Sequence, residues 1–267
     1  MRLFGLDDRW TTVDGISVYA RIAVDGDETK PAIVLVHGLG LSGRYMVPLA
    51  RRLKANFQVY VPDLPGFGWS GKERPAMTVQ QQAQALERWM DGMGIKRASL
   101  LGNSLGSQVA VEIAVRNPSR VEKLVLTGCT PDPRSRSLPR QYALQSLNMM
   151  LEPIGMKYLY WLDYNQAGLH RVLQTAYLTA DDPIETRLPS VQAETLVVRG
   201  RLDPSVGKKW AEQVTRMLPS AKLAVVDGAA HCVNFSQPAQ LAKMVTAFIP
   251  RKQLRAAPPQ DTRRTLN

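Results

Sequence analysis

A serine at the centre of a glycine-flanked stretch is the residue of this sequence best suited to nucleophilic chemistry. The stretch reads LLGNSLGSQVA, with Ser104 between Gly102 and Gly106. The residues before it have the apolar composition of a strand, and those after it follow the pattern of a helix. A side chain on such a sharp strand-to-helix turn projects from the sheet edge, and its neighbours two residues away must be small. The spacing therefore predicts that Ser104 is a nucleophile.

A serine hydroxyl needs a base to take its proton, and the sequence offers three histidines. His37 ends an early predicted strand, His170 lies in a helix-rich segment, and His231 follows the last predicted strand. Of the three, His231 is the one on a loop at the expected sheet edge and late in the chain. We predict that His231 is the general base and that His37 braces its own loop.

The base needs a carboxylate to fix its tautomer and to stabilise its protonated form. Asp203 ends a predicted strand within GRLDP and is the preferred candidate. Asp132, after the preceding strand, is the competitor. Asp63 is a distant third, because it precedes the serine and is typical of a carboxylate that caps a turn.

An oxyanion formed at the serine must accept hydrogen bonds from two N–H groups. Leu105, which follows the nucleophile at the helix start, is predicted to supply one of them. The second is expected from Leu39, because Gly38 and Gly40 on either side let the loop turn its amides inward.

Strand-like and helix-like segments alternate along most of the chain, which predicts an α/β fold with a mostly parallel sheet. Several strands are nearly continuous in Val, Ile and Leu, as in strands buried on both faces. The short turn at residues 13–15 predicts that the first two strands are antiparallel. The clearest strand segments are ISVYARIAV, AIVLVHG, FQVYVPD, ASLLGN, VEKLVLTG, ETLVVRG and AKLAVVDG.

The alternation stops over residues 132–190, where prolines and helix-like stretches occur without a clear strand. We interpret this segment as a helical insertion that covers the active site. Residues 147–164 are rich in Met, Tyr and Trp; most of these side chains are expected to be buried, and some to face the substrate. Residues 251–267 are charged and contain proline, so they are predicted to be a disordered basic tail.

Five motifs together resemble the α/β-hydrolase superfamily over about residues 10–250. They are HGLG, PDLPGFGWS, GNSLG, GRLDP and GAAH, and the order Ser, Asp, His also matches. The resemblance implies an eight-stranded, mostly parallel sheet flanked by helices, a helical cap inserted after strand 6, and no cofactor. The predicted core then comprises residues 1–131 and 191–250, and the cap comprises residues 132–190.

The net charge of +11 does not indicate nucleic-acid binding, because it is not arranged as a basic stripe with aromatic residues. Residues 250–267 hold five basic residues and one acidic residue, and the remaining charge is dispersed. No run of eighteen apolar residues is present, and the first residues lack a signal-peptide pattern. We therefore expect a cytoplasmic protein with a small-molecule substrate and no nucleic-acid or membrane partner.

The two cysteines, Cys129 and Cys232, are too few for a disulfide framework and lack the spacing of metal ligands. They are expected to be reduced thiols, and no metal site is predicted.

A serine at the elbow argues against the dehalogenases and epoxide hydrolases of the resembling superfamily, which carry an aspartate there. The prediction is a hydrolase of a small to medium, mainly apolar carboxylic ester or lactone that works through an acyl-enzyme. A C–C bond hydrolase of the meta-cleavage type is an alternative, weakened by Leu39, Leu105 and Ser107 where such enzymes usually differ. A cofactor-free perhydrolase with the same triad and a non-catalytic small-ligand binder are further alternatives.

Overall fold

One sheet of nine strands organises the protein, in a computed structural model that describes residues 2–3, 5–72, 75–130 and 132–251. The strands are β1 (Arg2–Leu3), β2 (Leu6–Val13), β3 (Ile16–Ala23), β4 (Ala32–Val36), β5 (Gln58–Pro62), β6 (Ala98–Asn103), β7 (Val121–Thr127), β8 (Thr195–Gly200) and β9 (Ala221–Val226).

The strand order across the sheet is β1-β2-β3-β5-β4-β6-β7-β8-β9. β1, β2, β3 and β5 pair antiparallel, and every pair from β5 to β9 is parallel. The predicted α/β fold with a mostly parallel eight-stranded sheet is confirmed. The two-residue β1 is an additional edge strand, so the sixth predicted strand is β7.

Helices follow most of the parallel strands and cover both faces of the sheet. They are α1 (Val47–Leu53), α2 (Val79–Gly92), α3 (Leu105–Arg116), α4 (Leu138–Leu151), α5 (Ile154–Ala167), α6 (Leu169–Ala180), α7 (Ile184–Arg187), α8 (Lys208–Met217), α9 (Val233–Ser236) and α10 (Pro238–Phe248). In the described part of the chain, no helix combines the length and the hydropathy that a bilayer span requires.

The central strands are buried on both faces because successive side chains point to opposite sides of the sheet. Val34 on β4 and Leu100 on β6 pack into the core beneath α2 and α3. The residues next to them, Ile33 and Leu101, pack into the second core beneath α1 and α10. This double burial explains why these strands read as continuous apolar runs.

Between β7 and β8 the chain forms α4, α5, α6 and α7 instead of continuing the alternation of strand and helix. The division into a core and a 132–190 cap remains a prediction. Residues 252–267 of the predicted disordered tail lie outside the described residues. The side chain of Arg251, the first residue of that tail, donates a hydrogen bond to the carbonyl oxygen of Ala55 at 2.8 Å.

The turn between β6 and α3 holds Ser104 in a backbone conformation that side chains rarely adopt, with φ 56° and ψ −119°. A Cβ atom on Gly102 would overlap the backbone of Gly106, and one on Gly106 would overlap the carbonyl oxygen of Val36. The absence of these two Cβ atoms lets α3 start directly against the ends of β4 and β6. These steric contacts therefore explain why the residues two positions before and after Ser104 must be small, as the sequence predicted.

We expect Gly106→Ala to lower the free energy of unfolding by about 3 kcal/mol or more, because two backbone segments would have to separate. Gly94→Ala is the matched control. Unlike Gly106, Gly94 has a positive φ (71°), but nothing lies within 4 Å of the added Cβ, so a cost of about 1 kcal/mol is expected from backbone strain alone. Urea denaturation measures the free energy of unfolding of both variants. If Gly106→Ala alone fails to accumulate as folded protein, its loss of stability is larger still, which also supports the steric argument. Equal losses would refute the steric argument.

Candidate active site

Ser104 lies at the carboxyl edge of the sheet and faces a cavity. Its backbone N–H donates to the carbonyl oxygen of Thr127 at 3.0 Å, which fixes the turn to the end of β7. Its Oγ lies 3.2 Å from Oγ1 of Thr130, and either hydroxyl can donate. Ser104 and His231 line the same cavity. The structure therefore brings the predicted nucleophile and the predicted base to one place.

Asp203 and His231 form a buried pair, with Oδ2 of the carboxylate 2.8 Å from Nδ1 of the imidazole. The other carboxylate oxygen, Oδ1, accepts hydrogen bonds from the backbone N–H groups of Ser205 and Val206 at 2.8 and 3.1 Å. Because three donors hold this carboxylate in place, the neutral imidazole carries its proton on Nδ1 and keeps Nε2 free to accept one. This is the tautomer that a general base needs.

The pKa of His231 is raised above its ordinary value although the ring is buried. Burial alone would lower this pKa, because it disfavours the charged imidazolium. The negative charge of Asp203, its hydrogen bond to the ring, and the charge of Glu152 together outweigh burial. The site therefore stabilises the imidazolium ion that forms when His231 accepts a proton.

The competing carboxylates have other partners. Asp132 caps a short 3-10 turn and accepts two hydrogen bonds from the side chain of Arg134, at 3.0 and 2.9 Å. Asp63 is fully buried, pairs with Arg21 at 2.8 Å and also accepts from backbone N–H groups. Of the three aspartates, the structure places Asp203 on His231.

His37 holds its loop in the way the sequence suggested. Its Nε2 accepts a hydrogen bond from the backbone N–H of Leu64 at 2.8 Å, and its Nδ1 is 2.9 Å from the carbonyl oxygen of Gly38. These partners assign the proton to Nδ1. Burial is the main cause that lowers the pKa of His37, so the ring is held in its neutral form.

Leu39 and Leu105 both line the cavity beside Ser104. In the part of the chain that the structure describes, neither backbone N–H donates to another backbone oxygen. Leu105 is the first residue of α3, where unpaired N–H groups and the helix dipole favour negative charge. The two N–H groups are available to bind an oxyanion, and their role remains a prediction.

Two polar residues, one in α4 and one at its C-cap, contact the loop of His231, and neither was predicted from the sequence. Asn148 accepts a hydrogen bond from the N–H of His231 at 3.3 Å and donates to the hydroxyl of Ser205 at 3.4 Å. Glu152 accepts a hydrogen bond from the N–H of Cys232 at 2.7 Å. Burial is the main cause that raises the pKa of Glu152. The signal for these residues was available, since they are polar positions within the apolar stretch LNMMLEP.

The cavity encloses about 170 Å³ between the sheet edge and α4, α5 and α6. Among the described residues, those lining it include no Asp, Glu, Lys or Arg. Nor does the described part of the chain contain three His, Cys, Asp or Glu side chains grouped as a metal site would require. The lining residues contributed by the helices between β7 and β8 are Leu138, Gln141, Tyr142, Gln145, Tyr160, Tyr164, Leu169, Val172, Leu173, Ala176, Thr179 and Ala180.

The known proteins with similar sequences include several hydrolases. The family model described as "Alpha/beta hydrolase family" matches residues 33–244. The pimeloyl-[acyl-carrier protein] methyl ester esterase of Aeromonas salmonicida is 25% identical over 255 residues, which is 85% of this chain and 99% of that protein. The 2-hydroxymuconate semialdehyde hydrolase of Pseudomonas putida is 27% identical over 259 residues, covering 84% of this chain and 89% of that protein.

The enol-lactonase of Burkholderia xenovorans LB400 has a similar solved structure, with a TM-score of 0.77 and 20% sequence identity. The match covers 90% of this chain and 99% of that one. At this identity the likeness concerns the fold alone.

Replacing Asp203 by Asn should lower the pKa of His231, because burial would remain while the carboxylate charge is lost. Asp132→Asn is the matched control and should leave that pKa unchanged, since Asp132 pairs with Arg134. NMR titration of the histidine ring signals measures both, and a His231→Gln variant assigns the signal. An unchanged pKa in Asp203→Asn, or an equal fall in Asp132→Asn, would contradict this assignment of the pair.

Proposed function

The chain belongs to the alpha/beta hydrolase family, and from that membership we propose that it is a serine hydrolase of small to medium, mainly apolar carboxylic esters or lactones. The observation that carries the proposal is the meeting of three features in one cavity. They are Ser104 on its strained turn, the buried Asp203–His231 pair, and the free N–H groups of Leu39 and Leu105.

In the proposed reaction, His231 takes the proton of Ser104 as Oγ attacks the substrate carbonyl carbon. For this, the Ser104 hydroxyl must exchange its present partner, the hydroxyl of Thr130, for the imidazole of His231. The negative charge that develops on the carbonyl oxygen accepts hydrogen bonds from the N–H groups of Leu39 and Leu105.

The imidazolium ion of His231, stabilised by Asp203, then gives its proton to the departing alcohol oxygen, and the acyl group remains on Ser104. Water then attacks the acyl-enzyme and gives its proton to His231. The imidazolium ion returns that proton to Oγ of Ser104 as the bond to the acyl group breaks and the carboxylic acid leaves. Because the protonated ring cannot accept the serine proton, activity should rise with pH through the raised pKa of His231.

The uncharged lining of the cavity supports a neutral substrate. Among the described lining residues there is no cation to pair with a substrate carboxylate. This composition favours the hydrolysis of an ester over the hydrolysis of a C–C bond. The name of the similar hydrolase of Pseudomonas putida gives its substrate as 2-hydroxymuconate semialdehyde, the semialdehyde of an acid. A perhydrolase would use the same triad, and a non-catalytic binder would not need one. A vinylogous 1,5-diketone assayed beside an ester separates the C–C reaction from ester hydrolysis.

Ser104→Ala should reduce ester turnover by about 10³-fold or more, because members of a triad act as a unit. A fluorophosphonate should label the native protein at Ser104 and fail to label the variant. Ser99→Ala is the matched control, since Ser99 is a buried serine on β6, the strand that leads to Ser104, and its hydroxyl has no hydrogen-bond partner among the described residues. It should keep full turnover and labelling. Undiminished hydrolysis in Ser104→Ala would refute the mechanism.

Nitrophenyl esters of increasing acyl length should be hydrolysed with rising kcat/KM until the cavity is full. Each added methylene that fits should contribute up to about 0.8 kcal/mol, or up to about fourfold. The measurement is a series from acetate to laurate, with charged esters of equal size as controls. A flat series, or a preference for the charged esters, would contradict an apolar substrate.

A further inference from the structure

The hairpin of α4 and α5 exposes an apolar strip on its outer side, which we call the hairpin surface. Ile154 and Met150 are the two most exposed of the large apolar side chains in the described part of the protein, at 82% and 75%. The members of the hairpin surface are Leu147, Met150, Leu151, Ile154, Tyr158 and Trp161.

Helical spacing makes the strip continuous. Ile154, Tyr158 and Trp161 are four and three residues apart and so share one face of α5. The rings of Tyr158 and Trp161 stack with their centroids 6.1 Å apart. Lys157 donates a hydrogen bond to the carbonyl oxygen of Met150 at 3.3 Å, which joins the two helices. A continuous apolar patch of this kind marks an interaction surface.

The charges of the hairpin are divided between its two sides. Its carboxylates point inward: Glu152 is bonded to the N–H of Cys232, and Asp163 is buried and paired with Arg44 at 2.6 Å. Within the described hairpin, residues 138–167, no carboxylate is exposed. The cations lie on the other side, with Arg140 exposed and Lys157 partly exposed. The outer side is therefore apolar and positively charged.

Exposed apolar side chains also occur at the cavity. Tyr142 of α4 and Leu169 and Leu173 of α6 are exposed and at the same time line the cavity that holds Ser104. The helix α4 therefore contributes both to the hairpin surface and to the cavity lining.

We propose that the hairpin surface docks on the anionic surface of a lipid membrane. Tryptophan, tyrosine and aliphatic side chains would enter the boundary between headgroups and acyl chains, while Arg140 and Lys157 would meet the lipid phosphates. The net charge of +11 adds a longer-range attraction. No membrane partner was expected from the sequence, because it contains no apolar run long enough to span a bilayer, whereas this surface would lie in the membrane interface. Docking is independent of the hydrolase chemistry.

Vesicle flotation tests the docking directly, with vesicles of phosphatidylcholine mixed with phosphatidylglycerol and vesicles of phosphatidylcholine alone. The native protein should bind the anionic vesicles more tightly, and added salt should weaken this binding. Trp161→Ser should reduce the affinity about tenfold, because it removes a 63% exposed ring from the hairpin surface. Trp10→Ser is the matched control, because Trp10 on β2 is also exposed, at 54%, but lies outside the hairpin surface. This substitution should change the affinity for anionic vesicles less than twofold.

Two further variants separate docking from catalysis and from charge. Ser104→Ala should bind the anionic vesicles like the native protein, whether or not it hydrolyses esters. Arg140→Gln should weaken binding to anionic vesicles only. Trp161→Ser should hydrolyse a water-soluble ester at the native rate, because Trp161 does not line the cavity.

Four results would overturn the proposal. The first two are that the native protein does not bind anionic vesicles, or that it binds both kinds of vesicle equally. The third is that Trp161→Ser and Trp10→Ser lose the same affinity for anionic vesicles. The fourth is a dimer, seen by analytical ultracentrifugation, that Trp161→Ser dissociates while the protein does not bind vesicles. The last result would assign the hairpin surface to a second copy of this chain.

Discussion

The close approach of α3 to the sheet is the constraint on which the rest of the site depends. It exists because Gly106 has no Cβ to separate the first turn of the helix from the carbonyl oxygen of Val36. Val36 is the last residue of β4, and the loop with Leu39 begins just after it. One steric contact therefore brings the start of α3, the serine turn and the second candidate oxyanion donor to the same place. The strained φ of Ser104 is the cost of that arrangement.

A chain of buried hydrogen bonds fixes the three loops of the site to one another. The N–H of Gly38 donates to the hydroxyl of Tyr45, which donates to Oδ1 of Asn103 at 2.8 Å. The amide nitrogen of Asn103 donates to the carbonyl oxygen of His231 at 3.1 Å. Each group is neutral, so the network fixes positions without adding charge near the imidazole. Because unsatisfied buried polar groups are costly, such a network favours one arrangement of the loops.

The sequence predicted what depends on local patterns and missed what depends on packing between distant segments. Ser104 could be placed because its glycines and flanking elements adjoin it in the chain, and the fold class followed from the apolar runs. Asn148 and Glu152 escaped because their contacts join the insertion to a loop some eighty residues later. The aromatic residues of 147–164 were expected to be mostly buried. Tyr160 and Tyr164 line the cavity, but Tyr158 and Trp161 are exposed, since periodicity alone cannot say which face of a hairpin is covered.

The polar and acidic side chains of the α4–α5 hairpin are distributed unevenly between its inner and outer sides. Asn148, Glu152 and Asp163 all lie on its inner side, where backbone N–H groups bind Asn148 and Glu152, and Arg44 pairs with Asp163. Glu152 holds the insertion against the loop of His231 and adds its negative charge to that of Asp203 near the imidazole. Because Glu152 and Asp163 are both buried, the outer side keeps apolar residues and cations without exposed carboxylates. The burial of Glu152 therefore contributes both to the raised pKa of His231 and to the charge pattern proposed for membrane docking.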